Sequence, residues 1–305
     1  MSTSPGHNNI ADALVLGCPS YREPAQRLAK AADLRYADIS VHRFPDGESL
    51  VRLPGTLPDR VILCCSLDDP NTKLVEIELA AATALELGAR QLTLVAPYLC
   101  YMRQDTAFHP GEAVSQRIIG ALLARHFDTV ITVDPHLHRT RDLHQAIRVR
   151  RALALSAAPV MADWLTAHAE RPLLIGPDEE SEQWVQAIAS PAGLDYGVAR
   201  KQRLGDRDVR IELPDLPVVG RNVVLVDDVA STGHTLAAAA QKLADHGAAS
   251  VSTLVTHALF VEDALARLRA AGVSDICSTD SVPHASNKLQ LDALLAEALL
   301  ATSTR

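Results

Sequence analysis

The chain has 305 residues, with 29 lysines and arginines against 37 aspartates and glutamates, for a formal net charge of −8. Apolar residues make up 48% of the sequence and aromatic residues 4%, which is typical of a folded protein and excludes collagen-like, low-complexity and largely disordered chains. The acidic balance and the few aromatic residues also argue against a protein that coats nucleic acid.

Seven short runs rich in Val, Ile and Leu predict buried β-strands. They lack the alternation of apolar and polar residues that is typical of a strand with one solvent-exposed face. This favours strands that are covered on both faces of a parallel sheet. Helix-length segments lie between them, at 73–87, 115–125, 235–246 and 261–271. This alternation predicts an α/β fold of mainly parallel sheets flanked by helices. In chain order the predicted strands are 13–17, 60–66, 91–99, 129–134, 172–178, 222–228 and 250–258.

Two α/β domains are predicted, residues 1–150 and residues 151–305, divided at the charged stretch RVRRA. Residues 61–99 and 223–259 both follow the order strand, acidic turn, alanine-rich helix, Gly-Ala and strand. Two explanations stay open, an internal duplication or the general likeness of any two βαβ units. The last helix of the second domain could pack back on the first.

Cysteine use and the absence of targeting signals predict the compartment. The five cysteines are an odd number without a C-x-x-C pair, so neither a disulfide framework nor a thiolate zinc site is indicated. The first residues lack the basic and apolar segments of a secretory signal, and no apolar stretch approaches the roughly 20 residues of a membrane span. We therefore expect a cytoplasmic protein that binds neither membranes nor nucleic acid.

The segment VVLVDDVASTGHTL, residues 223–236, is the strongest local signal. Four apolar strand residues precede two carboxylates, and a loop of small and hydroxyl residues then opens a helix. Such a loop offers backbone N–H groups to an anion, and the carboxylates suit a sugar diol, so the predicted ligand is a phosphorylated sugar. The alternative is a turn followed by an ordinary helix cap. The candidate residues are Asp227, Asp228, Ser231, Thr232, Gly233, His234 and Thr235.

The string DDVASTGHT resembles the phosphoribosyl-binding signature shared by phosphoribosyltransferases and ribose-phosphate pyrophosphokinases. Six further segments resemble motifs of the pyrophosphokinases and follow the family's order across nearly the whole chain. The resemblance implies two tandem phosphoribosyltransferase-type domains, the first for ATP binding and oligomerisation, the second for ribose 5-phosphate and a catalytic loop. The segments are FPDGE (44–48), PYLCYMRQD (97–105), PGEAVS (110–115), TVDPHLH (132–138), GPD (176–178) and RKQR (200–203).

The resemblance assigns ATP to two segments of the first domain. An aromatic face there would stack on adenine, carboxylates would accept from its amino group, and an arginine fork suits phosphate oxygens. The family's FPDGE loop reaches into the neighbouring subunit, which implies a homo-oligomer, a dimer or a multiple of dimers. By composition alone FPDGE is a surface turn and the arginine a solvated charge. The implied ATP residues are Phe44, Asp46, Glu48, Arg103, Gln104 and Asp105.

The resemblance also implies metal and catalytic residues. His136 would bind the Mg²⁺ of Mg-ATP and Asp178 a Mg²⁺ on the pyrophosphate side. Lys201 and Arg203 would belong to a flexible catalytic loop that stabilises charge on the transferred oxygens. By composition alone, His136 is a histidine at a strand end and residues 200–210 form a mobile, solvated loop.

The implied reaction transfers the β,γ-diphosphoryl group of Mg-ATP to the anomeric hydroxyl of ribose 5-phosphate, giving phosphoribosyl pyrophosphate and AMP. Two alternatives remain, a phosphoribosyltransferase that uses the same loop and an inactive regulatory relative. The sequence departs from the family pattern at the Glu179–Glu182 run, at His234 and at residues 106–109, which replace the usual basic residues. These departures leave regulation and donor nucleotide open, whereas the short PGEAVS loop resembles compact archaeal forms.

Overall fold

The computed structural model describes residues 10–137, 139–140, 142–203 and 209–302. The chain divides into two compact units. The first runs to Leu155 and also contains the C-terminal segment from Leu291, and the second spans Ser156–Gln290. Each unit has a six-stranded sheet in which every neighbouring pair is parallel, so the predicted α/β architecture is confirmed.

The sheet of the first unit has the strand order β2-β1-β5-β6-β7-β8. Its strands bury leucine, isoleucine and valine side chains against alanine-rich helices, since a parallel sheet is covered on both faces. A separate antiparallel hairpin, β3–β4, leaves the sheet between β2 and β5. The strands are β1 (Leu14–Gly17), β2 (Arg35–Asp38), β3 (Ser40–Arg43), β4 (Ser49–Arg52), β5 (Arg60–Cys64), β6 (Gln91–Val95), β7 (Thr129–Val133) and β8 (Arg151–Leu155).

Among the described residues, four α-helices of the first unit precede β8, and the C-terminal helix returns to the same unit. This last helix, α9, packs on α1, and Arg27 of α1 lies 3.8 Å from Asp292 of α9. The predicted division at residue 150 falls before β8, which pairs with β7 and therefore belongs to the first sheet. The helices are α1 (Arg22–Ala31), α2 (Pro70–Glu86), α3 (Ser115–Leu123), α4 (Leu143–Ala146) and α9 (Asp292–Ala301).

The second unit repeats this plan with the strand order β10-β9-β13-β14-β15-β16. Here too an antiparallel hairpin, β11–β12, lies in the chain between the second and third strands of the parallel sheet. The strands are β9 (Leu173–Gly176), β10 (Tyr196–Val198), β11 (Arg200–Arg203), β12 (Val209–Glu212), β13 (Asn222–Ala230), β14 (Ser250–Ala258), β15 (Val273–Thr279) and β16 (Asn287–Leu289).

Helices α5 and α6 of the second unit pack on each other, and each carries one tryptophan. Trp164 of α5 stacks on His168 with ring centroids 4.7 Å apart, and Trp184 lies in α6. Within the described residues, no helix combines the length and apolar character needed to cross a membrane. The helices are α5 (Ala158–His168), α6 (Glu182–Ala192), α7 (His234–Asp245) and α8 (Ala264–Ala270).

The shared strand order bears on the possible duplication. The two similar segments form β5-α2-β6 in the first unit and β13-α7-β14 in the second. These elements occupy equivalent places in the two sheets, and each follows the antiparallel hairpin of its unit. Chance likeness of two βαβ units would not reproduce the order of six strands and a hairpin, so the topology favours duplication.

Candidate active site

The loop that carries the strongest sequence signal follows β13. Asp227 and Asp228 lie inside this strand, which continues to Ala230 because β14 pairs alongside it to Ala258; the predicted strand ended two residues earlier. Asp228 is buried and Asp227 half-buried. The chain then turns through Ser231, Thr232 and Gly233, where a φ of 72° requires glycine, and α7 begins at His234.

The shape of this loop is held by its carbonyl groups. The Ala230 carbonyl accepts from the N–H groups of Leu259 and Phe260, each at 3.0 Å, and the Ser231 carbonyl accepts from Val261 at 3.2 Å. The Thr232 carbonyl accepts from the guanidinium of Arg267. Arg267 is in turn paired with Asp263 at 2.6 Å. The segment after β14 and helix α8 therefore position the loop.

Three carboxylates lie near one another at the carboxyl edge of the second sheet. Asp178 follows β9, the neighbour of β13, and accepts from the Glu180 N–H at 3.2 Å. Asp227 accepts from the Asp228 N–H at 3.0 Å. Burial, and then the charges of Asp228 and Asp178, raise the pKa of Asp227 well above its usual range. This edge therefore has a negative potential that a cation would relieve.

The segment with Lys201 and Arg203 forms an antiparallel hairpin instead of the loop that composition alone predicts. Lys201 is opposite Ile211 and Arg203 opposite Val209 in the β11–β12 register. Backbone pairing between two short charged segments leaves no apolar pattern, which is why the sequence did not predict these strands. Arg200 lies 3.8 Å from Glu179 with both side chains exposed, so the ion pair is weak. Residues 204–208 lie outside the described residues.

The FPDGE residues form the tip of the β3–β4 hairpin. Phe44 donates its N–H to the Glu48 carbonyl at 2.8 Å, and Gly47 donates to the Phe44 carbonyl at 2.9 Å. The Asp46 carboxylate accepts from the Glu48 N–H at 3.2 Å. Phe44 is 40% exposed and touches the edge of His42 with ring centroids 4.9 Å apart. The hairpin thus presents an aromatic ring and two carboxylates together at an exposed tip.

The remaining candidates of the first unit lie beyond the carboxyl ends of β6 and β7. Arg103 and Gln104 follow β6, with Arg103 exposed, and His136 follows β7 and is half-buried. Because β6 and β7 are neighbours, these residues share the edge where ligands bind in open α/β sheets. Asp134, between β7 and His136, is buried with a φ of 36°. His138 lies outside the described residues.

Asp105 supports a neighbouring segment. Its side chain is only 3% exposed and accepts from Arg139 twice, from the backbone N–H at 2.8 Å and from Nη1 at 3.1 Å. Burial alone would raise the pKa of Asp105, but the Arg139 hydrogen bonds outweigh it and hold the pKa below its usual value. The Arg139 guanidinium also lies 5.8 Å from the ring centre of the exposed Phe108. Sequence reasoning missed the pairing of Asp105 with Arg139, since Arg139 belongs to no recognised motif.

Comparison with known proteins assigns the family. The model for the N-terminal domain of ribose phosphate pyrophosphokinase matches residues 13–126, and that for the phosphoribosyl synthetase-associated domain matches residues 177–300. The ribose-phosphate pyrophosphokinase of Methanopyrus kandleri is 37% identical over 277 residues, covering 90% of this chain and 94% of the relative. The chain belongs to the ribose-phosphate pyrophosphokinase family.

Further comparisons agree with this family assignment. The ribose-phosphate pyrophosphokinase of Methanosarcina acetivorans is 32% identical over 286 residues, covering 93% of this chain and 98% of the relative. The solved phosphoribosylpyrophosphate synthetase from Mycobacterium smegmatis has a TM-score of 0.81 at 23% identity, covering 95% of this chain and 98% of that chain. The predicted membership of the ribose-phosphate pyrophosphokinase family and the predicted fold are confirmed, and the two alternative functions are not favoured.

Proposed function

We propose that this member of the family is an enzyme that transfers the β,γ-diphosphoryl group of ATP to the anomeric hydroxyl of ribose 5-phosphate. The observation that carries the proposal is the pair Asp227 and Asp228 at the end of β13, followed at once by a tight hydroxyl-rich turn into α7. Relatives that are 37% and 32% identical over most of the chain bear the name ribose-phosphate pyrophosphokinase.

Ribose 5-phosphate would bind along β13 and the turn after it. The phosphate would accept from the N–H and hydroxyl groups of Ser231 to Thr235, where the positive end of the α7 dipole favours an anion. The carboxylates of Asp227 and Asp228 would accept from the ribose hydroxyls. Arg267 and the segment after β14 hold the carbonyl groups of the turn by hydrogen bonds, so the turn would need no rearrangement to accept the phosphate.

ATP would be bound by the first unit. Arg103 and Gln104 would contact the nucleotide, and the exposed Phe44 ring could stack on the adenine, with Asp46 and Glu48 as acceptors beside it. Asp105 would act through Arg139, since its carboxylate is already engaged there.

The candidate metal ligands, His136 and Asp178, suit Mg²⁺. Among the described residues no group of three or more His, Cys, Asp or Glu side chains forms a ready-made metal cage. Mg²⁺ suits such a setting, because it keeps several waters and binds through one or two carboxylates together with substrate phosphates. Burial, and then repulsion from Asp228 and Asp178, raises the pKa of Asp227, and this repulsion indicates a place for positive charge. His136 would hold the Mg²⁺ of Mg-ATP and Asp178 a Mg²⁺ on the pyrophosphate side, and each metal would neutralise phosphate charge.

The chain's own residues would then carry out the transfer. The anomeric hydroxyl oxygen attacks the β-phosphorus of ATP and its proton passes to water. The new O–Pβ bond forms, and the bond from the β-phosphorus to the oxygen that bridges it to the α-phosphorus breaks, releasing AMP. Lys201 and Arg203 would stabilise the charge on the transferred oxygens, which is the main catalytic task in phosphoryl transfer. Closure of their hairpin over the phosphates would exclude water that otherwise hydrolyses ATP.

We also propose a homo-oligomer, a dimer or a multiple of dimers. The β3–β4 hairpin exposes Phe44 at 40% and Leu50 at 41%, and α2, which packs on β4, exposes Val75 at 56% and Leu79 at 42%. Glu76 of α2 joins the two elements by accepting from Ser49 of β4 at 3.1 Å. A second copy that covers the exposed apolar side chains of the hairpin would bring the FPDGE tip to a neighbouring site.

A cytoplasmic location is part of the same proposal. All five cysteines are free and buried. Free thiols are typical of proteins that work in a reducing compartment.

The test is AMP release from ATP, Mg²⁺ and ribose 5-phosphate, measured with and without the sugar. We expect AMP only with the sugar, and near-complete loss in Asp228→Asn, with wild-type rates in the control Asp245→Asn, an exposed carboxylate at the end of α7. AMP formed without the sugar, or not at all, would contradict the proposal. Consumption of phosphoribosyl pyrophosphate with a free base would favour a phosphoribosyltransferase instead.

A further inference from the structure

Near its start, helix α3 has a glutamine on the face that packs against the interior. The buried residues of α3 are Gln116, Gly120 and Leu123, which follow the i, i+4 and i+7 spacing of a helix covered on one side. That face is normally apolar, yet Gln116 is only 5% exposed. Because a polar side chain is costly to bury without partners, the hydrogen bonds of Gln116 show what it does.

The side-chain amide of Gln116 bonds to two different segments of the chain. Its Nε2 donates to the Met102 carbonyl at 3.1 Å, and its Oε1 accepts from the Thr140 hydroxyl at 2.8 Å. A carbonyl can only accept, so Met102 determines which end of the amide faces which segment. The backbone N–H of Gln116 also donates to the Gln104 carbonyl, at 3.2 Å. Gln116 therefore connects the segment after β6 with the segment after β7.

Both of these segments contain candidate residues for the nucleotide. Arg103 and Gln104 directly follow Met102, and His136 lies four residues before Thr140. Since β6 and β7 are neighbours in the sheet, the two segments leave it at the same edge. Groups that bind one nucleotide must stand at a fixed distance from each other, and here that distance depends on what connects the two segments.

The two segments are held unequally. Met102 is 1% exposed and belongs to the hydrophobic core of the first unit, whereas Thr140 is half-buried. A second connection runs from Arg139 to Asp105, but the Arg139 side chain is 65% exposed. The Gln116 amide is buried, so water competes little for its hydrogen bonds. Gln116 is thus the buried connection that fixes Thr140 to the core.

We propose that Gln116 is a positioning residue for ATP, which holds the segment of His136 in place relative to Arg103 and Gln104. This inference rests on the proposed function. Gln116 would act through Thr140, because its own amide is already engaged at both ends. An arrangement formed before binding lowers the ordering cost of binding, so its loss should weaken nucleotide binding. Ribose 5-phosphate should be unaffected, since its candidate residues lie in the second unit.

The test is isothermal titration calorimetry of the full-length protein with the magnesium complex of α,β-methylene-ATP, in the presence of ribose 5-phosphate. The methylene bridge prevents the transfer, so binding is measured without reaction. Gln116→Met preserves the length of the side chain and removes both of its hydrogen bonds, and the Kd for the analogue should rise about tenfold. The Kd for ribose 5-phosphate, titrated separately, should stay unchanged. The control is Gln26→Met, the same substitution at an exposed position of α1, which should bind both ligands as wild type does.

A second variant tests the connection from its other end. Thr140→Val removes only a hydroxyl at a half-buried position, and it should weaken analogue binding about three- to fivefold. Because both variants break the same connection, Gln116→Met/Thr140→Val should bind the analogue no more weakly than Gln116→Met alone.

The outcomes separate this inference from the proposed function. Wild-type affinity for the analogue in Gln116→Met and Thr140→Val would overturn the inference, even with a lowered Tm, since Gln116 would then have a structural role only. Additive losses in the double variant, or an equal loss of ribose 5-phosphate binding, would overturn it as well. In each of these cases the wild-type protein still binds both ligands and releases AMP. A wild-type protein that binds no analogue would instead contradict the proposed function, and this inference with it.

Discussion

Gly120 in α3 is a position where a single methyl group has no room. A Cβ placed there would lie 1.8 Å from the carbonyl oxygen of Ala146, which would have to retreat to at least 3.0 Å. Gly120 is buried, and Ala146 ends α4 just before the fully buried Ile147. The obstacle is backbone held between packed elements, so no side-chain rotation can relieve it.

The size of the effect follows from two opposing contributions. Alanine in a helix interior is favoured over glycine by about 1 kcal/mol. Overpacking in a well-packed core costs about 1–3 kcal/mol, and an overlap with backbone belongs at the upper end. We therefore expect Gly120→Ala to lower the free energy of unfolding by about 2 kcal/mol, or the Tm by about 4–8 °C for a protein of this size.

Thermal melts followed by circular dichroism, at one protein concentration and without ligands, provide the assay. Gly55→Ala is the matched control, since a Cβ at Gly55 meets no atom within 4 Å. The free energy of unfolding of the control should lie within about 1 kcal/mol of the wild-type value. If the Tm of Gly120→Ala equals or exceeds that of the control, the packing argument is refuted.

Three other predictions concern charged groups. Because burial and nearby carboxylates raise the pKa of Asp227, its ionised form destabilises the fold at neutral pH, and Asp227→Asn should raise the Tm there. The gain should shrink once the pH falls below that raised pKa and vanish near the ordinary pKa of an unfolded aspartate. A pH-independent difference in Tm would contradict this. Arg139→Met should lower the free energy of unfolding by about 1 kcal/mol at neutral pH. Because Arg139 lowers the pKa of Asp105, the loss should become smaller as acid protonates Asp105. Urea titrations at two pH values measure this difference. Lys201→Ala should reduce kcat by about 100- to 1,000-fold with the KM for ribose 5-phosphate unchanged, and a normal kcat in steady-state assays would remove Lys201 from the mechanism.

How far the fold could be predicted depended on burial. The strand at Ser250–Ala258 has its predicted bounds, because its apolar run is covered on both faces and ends where pairing ends. The hairpin strands β3 and β4 were missed, since their residues are largely exposed and pair only with each other. Short polar strands carry no periodic signal that distinguishes them from turns.

Some residues of the candidate site could likewise be predicted from the sequence and others could not. The residues from Asp227 to Thr235 could be found because strand end, turn and helix start are contiguous in the chain. Arg139 and Arg267 could not, since each acts on a partner 34 or 35 residues away, at Asp105 and Thr232. Contacts of that range arise only from packing, and a single sequence without its fold contains no record of them.

The placement of the tryptophans has a practical consequence. The chain contains two, Trp164 and Trp184, and both lie on the packed helices α5 and α6. Intrinsic tryptophan emission therefore reports on the second unit alone, whereas far-ultraviolet dichroism sums the helices of both units. Denaturation curves from the two signals would coincide if the units unfold together and diverge if either unfolds alone. The half of the molecule that contains the sugar-phosphate loop thus has its own spectroscopic label without any chemical modification.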